Sequence, residues 1–364
     1  MMPSSVELYP VNNLIGDIVR SIFPETIAAV VNGLLALLSL MALVGSLGAV
    51  LIFLERKVSA HFQLRLGPMR VGPHGLLQPL ADGIKAIFKE ILKPEGADTF
   101  IFFLAPLLPV SAAFLVLAVI PFDHHLQVAD PAGGVLYVLG VSGLSILGIL
   151  LAGWASNNKY SLLGAMRSGA QMVSFEISIA LLMLLVVMLS GTASLRGIVL
   201  VQQGTIFDWW IFKLPFLGIL AFIMYLVAST AELNRTPFDI AEAESELTGG
   251  FATEYAGISF AMFFLGEFVN MFVAASLVTT FFLGGFHAPL FGLPVIDPLL
   301  NLIPGFLWFF AKAFLIVFIY MWFRWTFPRV RVDQLMYLEW RIMLPASLIL
   351  LMLSGLFVAQ GWVG

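Results

Sequence analysis

The sequence predicts an all-α polytopic membrane protein, with about eight transmembrane helices and a cytoplasmic amphipathic helix after the first. Two observations carry this. Of 364 residues, 60% are hydrophobic and only 11% charged, against roughly 25% charged in a soluble domain. A soluble fold of this size leaves much of its surface to water and could not hide such an apolar excess. The second observation is arrangement: apolar runs of about 20 residues, the length that crosses a hydrocarbon core, recur along the chain.

The predicted spans are 26–54, 100–121, 134–155, 168–190, 211–235, 256–283, 304–327 and 340–362. The first three hold no Asp, Glu, Lys or Arg. The fourth holds Glu176, the fifth Lys213 and Glu232 with Arg235 at its end, the sixth Glu267, the seventh Lys312 with Arg324 near its end, and the eighth Arg341 at its start. Residues 1–25 read as an outer-side interfacial segment. Within them Val11, Leu14, Ile15, Ile18, Val19 and Ile22 recur at helical spacing, as in a helix lying on the membrane surface. Glu7, Asp17 and Glu25 precede the first long apolar run and no basic region does, unlike a secretory signal.

Orientation follows from basic residues in the connections. The connections after spans one, three, five and seven hold Arg56, Lys57, Arg65, Arg70, Lys85, Lys89, Lys93, Lys159, Arg167, Arg235, Arg324, Arg329, Arg331 and Arg341. The other side holds Arg20, Arg196 and Lys213. The odd connections are therefore expected in the cytoplasm and both termini outside. The first connection, 55–99, is long. Gly67, Pro68, Gly72, Pro73 and Gly75 break it. Leu76, Leu80, Ile84, Ile87, Phe88 and Ile91 then form one apolar stripe, with Asp82, Lys85, Lys89, Glu90 and Lys93 off it, which predicts an interfacial amphipathic helix. No repeat or soluble domain interrupts the single membrane domain 1–364.

Ionisable groups inside spans cost about 2.5–3.5 kcal/mol on insertion scales and mark functional sites. Three qualify. Glu176 lies roughly 12 Å in from the cytoplasmic end of its predicted span, Glu267 roughly 16 Å, and Lys312 enters from the outer side by roughly 12 Å, at about 1.5 Å per residue. Beside them is an acidic loop, 236–255. Glu232, Asp239, Glu242, Glu244, Glu246 and Glu254 fall close together, opposed only by Arg235, and Glu55 closes the first span on the same side. Crowded carboxylates share protons rather than all ionising. Acids stepping from a cytoplasmic loop toward the midplane fit a proton relay, which Lys312 would extend. The plainer alternative is a solvated acidic loop with a few carboxylates pairing helices.

Other chemistry has no support. There is no cysteine, hence no thiolate zinc site or cysteine-ligated cluster. His61, His74, His124, His125 and His287 all fall in predicted connections, which argues against a haem held between helices. No phosphate-binding glycine loop occurs. The chain is expected to bind no metal, haem, flavin, iron–sulfur cluster or nucleic acid.

Four stretches bring a family into view: ERKVSAHFQLRLGPMRVGPHGLLQPLADGIKAIFKE at 55–90, ASNNKYSLLGAMRSGAQMVSFE at 155–176, ELNRTPFDIAEAESELTGGFATEY at 232–255 and PRVRVDQLM at 328–336. Together they resemble the quinone-site membrane subunit of respiratory complex I, called the H subunit in bacteria and subunit 1 in mitochondria. The resemblance implies an eight-helix, non-redox subunit of a proton-translocating NADH:quinone oxidoreductase, set in a bacterial inner (plasma) membrane. It implies ubiquinone or menaquinone as substrate, and partners among the membrane arm, the peripheral-arm quinone-site subunits and lipid. By position, Glu55, Glu176, Glu232, Asp239, Glu242, Glu244, Glu246, Glu254 and Glu267 match acidic positions of the pattern. Arg56, Gln63, Arg65, Arg70, Arg235 and Phe238 fall at the implied quinone chamber or its entrance. The chain departs from the pattern at Met69, where asparagine is expected, at Phe175, where tyrosine is expected, and at Thr248-Gly249-Gly250.

Two rivals remain open from the sequence. One is the equivalent subunit of a membrane-bound hydrogenase or other donor-linked complex. The other is a secondary transporter, which the absence of an internal repeat disfavours.

Overall fold

A computed structural model describes residues 21, 24–214, 216–240, 248–294 and 296–361. The described residues are predominantly helical. The main helices are α1 (Glu25–Phe62), α2 (Gln78–Phe88), α3 (Thr99–Leu117), α4 (Gly134–Ala155), α5 (Lys159–Ser190), α6 (Leu217–Glu232), α7 (Gly257–Phe282), α8 (Gly305–Thr326) and α9 (Val332–Ala359). Seven are long and apolar enough to cross a membrane; α6 is the shorter apolar helix and α2 lies outside the set. The expected surface helix near residues 11–23 falls almost wholly outside the described residues.

Several boundaries differ from those predicted. Three helices outrun their hydropathy windows, because a helix continues wherever its caps and backbone bonds allow. α1 runs on to Phe62, which takes Glu55 and His61 into the helix. α5 starts at Lys159, where Asn158 caps it by accepting from Tyr160 N at 2.9 Å. Glu176 is thus roughly 26 Å from the start of its helix rather than 12 Å. α9 starts at Val332 and passes through a π-helical turn, Leu338–Met343. Pro345 follows that turn. It has no N–H to give the normal ladder. The earlier start encloses Glu339, which the predicted span 340–362 leaves out. The predicted span 211–235 is in fact two pieces, Trp210–Lys213 and α6, with Pro215 between them in sequence.

Two helices organise the bundle. α5 packs against α4, α6 and α9, while α7 packs against α3, α8, α1 and α2. Of their most apolar windows 56% and 67% are buried, against 28% for α1 and 22% for α9, so the last two present most of their surface outward. Glycines set the close approaches. A Cβ at Gly148 would sit 2.6 Å from Pro109 Cδ, and one at Gly153 would sit 2.3 Å from Ala165 Cβ. Small residues let α4 lie against α3 and α5, the common solution where lipid supplies no hydrophobic drive. At the end of α7, Gln202 donates to Thr280 O at 2.9 Å and accepts from Gly284 N at 3.1 Å, pinning the segment 195–213 to that end.

Candidate functional site

The long α5 and α7 bring Glu176 and Glu267 to one internal cavity, and the end of α6 adds Glu232. The cavity measures about 110 Å³, and one water needs about 10–15 Å³ in that measure, so several fit. Ser142, Ser145, Asn234, Asn270 and Tyr225 supply its other polar walls, and apolar side chains of α3, α4 and α7 close the rest. Ser142 Oγ donates to Glu176 Oε1 at 2.8 Å, and Asn270 Nδ2 lies 3.5 Å from Ser145 Oγ. Ser142 and Asn270 do not stand out in the sequence as site residues. Each has only a weak signal there: Ser142 and Ser145 recur three apart in an apolar span, and Asn270 follows Glu267 by three.

Glu267 leads out of the cavity into an ion-pair network. Arg235 Nε lies 2.8 Å from Glu267 Oε1, and Arg235 Nη1 donates to both oxygens of Glu55, at 2.8 and 3.0 Å. Arg324 also donates to Glu55. The Arg235 guanidinium lies over Phe268, 4.7 Å from the ring centroid. Arg235 is 4% exposed and Glu55 8%. Two carboxylates and two guanidiniums make the group formally neutral, which lets it exist where single charges are costly. Arg235 therefore sits inside the bundle as the link between Glu55 and Glu267. In the sequence, Arg324 bears only on orientation. Its partner lies 269 residues away, a separation no local pattern reveals.

The remaining candidates divide. Asp239 is half-buried beside Phe238, and its Oδ1 is buried without a hydrogen-bond partner. Phe238 is a core residue, 5.9 Å from Phe175 between centroids, with its carbonyl accepting from Gln171. Asn158 Nδ2 donates to Glu254 Oε1 at 2.6 Å, which fixes Glu254 to the start of α5. Glu242, Glu244 and Glu246 lie outside the described residues. Arg56 pairs with Asp82 and so ties α1 to α2. Arg56, Ser59, Arg65 and Gln78 border a second, shallower hollow. Arg65 is exposed there, and Gln63 and Arg70 are exposed elsewhere in the same connection. On α2, Leu80, Ile84, Ile87 and Phe88 are exposed, which leaves the apolar stripe unpartnered among the described residues.

Lys312 does not join the carboxylates. Its Nζ donates to the carbonyls of Leu283 (2.7 Å), Gly285 (3.0 Å) and His287 (2.7 Å), and lies 4.0 Å from the Trp209 ring centroid. The loop wraps it because Gly284 and Gly285 take left-handed φ of 70° and 53°; a Cβ at Gly284 would meet Trp209 Nε1 at 2.3 Å. In the same loop, burial holds His287 down to about 4, helped by His124 and Lys312.

Comparison with known proteins adds an independent line. The NADH dehydrogenase family model matches residues 35–355. The NADH-quinone oxidoreductase H subunit of Bacteroides thetaiotaomicron is 46% identical over 353 residues, covering 97% of this chain and 98% of the relative. The H subunit of Phocaeicola vulgatus is 44% identical over 351 residues, covering 96% and 97%. An H subunit of the same enzyme in Geobacter sulfurreducens is 45% identical over 327 residues, covering 84% and 89%.

Proposed function

From the premise that this chain belongs to the H-subunit family of NADH-quinone oxidoreductases, we propose how its geometry serves such a complex. The protein is a multi-pass membrane subunit of a multisubunit oxidoreductase. Its task is to form part of a quinone chamber and to carry protons by carboxylates; it holds no redox group itself. The donor oxidised is NADH, and the electrons reach quinone through other subunits. The observation that carries this reading is the cavity, roomy enough for several waters, that gathers Glu176, Glu232 and Glu267 and is joined at Glu267 to Arg235 and Glu55.

The steps follow from the partners. Reducing a quinone to a quinol takes up two protons and changes the charge near the chamber. The hollow by Arg56, Arg65 and Gln78, with exposed Gln63 and Arg70 in the same connection, suits the entrance. Glu55 adjoins it in sequence. A proton arriving on Glu55 removes one of the two carboxylates that share Arg235 and leaves the guanidinium to Glu267. Glu267 then holds its negative charge more firmly, and protons in the cavity redistribute to Glu176 and Glu232. Asp239, Glu254 and the acidic loop carrying Glu242, Glu244 and Glu246 feed the cytoplasmic side. Lys312, held in its carbonyl cage, stays outside the relay. The setting is a bacterial inner membrane, and the excess of Lys and Arg on the odd connections supports both termini facing outward.

The test is made on the assembled complex in proteoliposomes. Glu267→Gln and Glu176→Gln are each expected to slow NADH-driven proton transfer by about a hundredfold or more, the usual loss for a proton-transfer group. Normal turnover and a normal proton-to-electron ratio in both variants would remove these residues from the relay. Proton pumping driven by hydrogen, with no response to NADH, would favour the hydrogenase reading instead.

A further inference from the structure

One buried carboxyl group stands apart from the cavity. Glu339 lies in the π-helical turn of α9 and is 0% exposed. Its Oε1 accepts a hydrogen bond from Ser178 Oγ on α5. Its Oε2 is buried with no hydrogen-bond partner. None of the ion pairs among the described residues includes it. Arg341, two residues on, is exposed and lies over the Tyr337 ring, 5.0 Å from its centroid. Buried polar side chains of the two helices include the hydroxyls of Ser174 and Ser178 on α5 and of Ser347 and Ser354 on α9.

The π turn is what aims this side chain inward. Ser347 and Ser354 are seven residues apart, which keeps them on one helix face. Glu339 and Ser347 are eight apart, which in an ordinary helix would rotate Glu339 about 80° off that face. The extra residue of the π turn restores the register, and π turns gather at functional sites.

A purely structural contact does not call for this residue. Serine, asparagine or glutamine can join helices in a membrane, and a carboxyl group is among the costliest acceptors there. What a carboxyl adds is the ability to bind a proton. Its link to α5 also has a definite geometry. Ser178 follows Glu176 by two residues, about 200° around the helix. Glu176 thus faces the cavity and Ser178 faces α9, so a shift of α5 alters both environments together.

We propose that Glu339 is a further proton-binding site of this subunit, on the opposite face of α5 from Glu176, loaded and unloaded as α5 moves. One proton, taken from water reaching the α5–α9 seam as α5 moves, adds to Oε2 of the carboxylate to give the carboxylic acid and later returns to water; no electron is transferred, and Oε1 keeps the Ser178 bond. The proposal rests on the carboxylate-relay reading above.

The experiment compares Glu339→Gln, Glu339→Asp, Ser178→Ala and Glu176→Gln in the intact complex in proteoliposomes. Glutamine keeps an acceptor for Ser178 but cannot bind the proton. Glu339→Gln is expected to slow coupled turnover roughly a hundredfold, with Glu339→Asp recovering part of it. Infrared difference spectra between oxidised and quinol-reduced complex should lose one protonated-carboxyl band in Glu339→Gln. The same band should move to higher frequency in Ser178→Ala. Normal rate and proton-to-electron ratio in Glu339→Gln, with Glu176→Gln defective, would overturn this proposal and leave the relay standing. Normal ratios in both variants would overturn the relay as well. If Glu339→Gln fails to assemble, the infrared arm decides: a carboxyl spectrum unchanged by Ser178→Ala overturns the proposal.

Discussion

Lys312 and Arg235 are both cations buried in the bundle, and they are held in opposite ways. Lys312 meets three backbone carbonyls and the face of Trp209. Its three N–H groups have three fixed partners, none of which can take or release a proton. Arg235 is divided between Glu55 and Glu267, two groups that can. Lys312 is built to stay as it is, because any movement leaves buried carbonyls unpaired. Arg235 can shift its weight between two partners at little cost, because either carboxylate satisfies it. A buried charge therefore signals function through the kind of partner it has, more than through its burial.

The comparison breaks most readily at Arg235. Arg235→Met leaves Glu55 and Glu267 without their shared cation. Losing one partner of a buried ion pair costs about 3–5 kcal/mol, so loss of the subunit from the assembled complex is expected on native gels. A stable, fully coupled complex would show that the network does not organise the site. Next is Lys312→Met, expected to lower stability by about 3 kcal/mol through unpaired carbonyls while the proton-to-electron ratio is unchanged. A changed ratio at unchanged melting temperature would place Lys312 in the relay and dissolve the distinction.

Asn158→Ala tests how Glu254 is held. It removes the α5 cap and the contact to Glu254, with a loss of about 1 kcal/mol, seen as faster hydrogen exchange at the start of α5. The last effect concerns His287 and is read as a pH slope rather than as a loss at neutral pH. Its folded value of about 4 lies below the ordinary 6.5, chiefly through burial. Its contribution to stability is therefore full above pH 6.5 and falls as the pH drops from 6.5 toward 4, where only the unfolded chain takes the proton. Thermal unfolding across that range should show a weaker pH dependence in His287→Gln, and an equal slope would remove His287 as its cause.

What could be read in advance divides along the same physical line. Glu176, Glu267 and Glu232 stood out because a carboxyl in an apolar run is rare and costly. Arg324 and Glu339 did not stand out. Each sits at the edge of an apolar run, where charge is ordinary, and only packing shows Arg324 turned onto Glu55 and Glu339 turned onto Ser178. Lys312 stood out for the right reason, its burial, yet its partners are backbone carbonyls of a loop, which no side-chain pattern announces.

By itself, then, the sequence determined an all-α membrane bundle, the centres of its apolar spans but not all their ends, and the family whose motifs it carries. Hydropathy over about 20 residues and the order of short motifs are local properties. The tertiary structure alone decided which of the charged groups meet. Glu55, Arg235, Glu267 and Arg324 come from four separate helices or their ends, and their pairing exists only once α1, α6, α7 and α8 pack together.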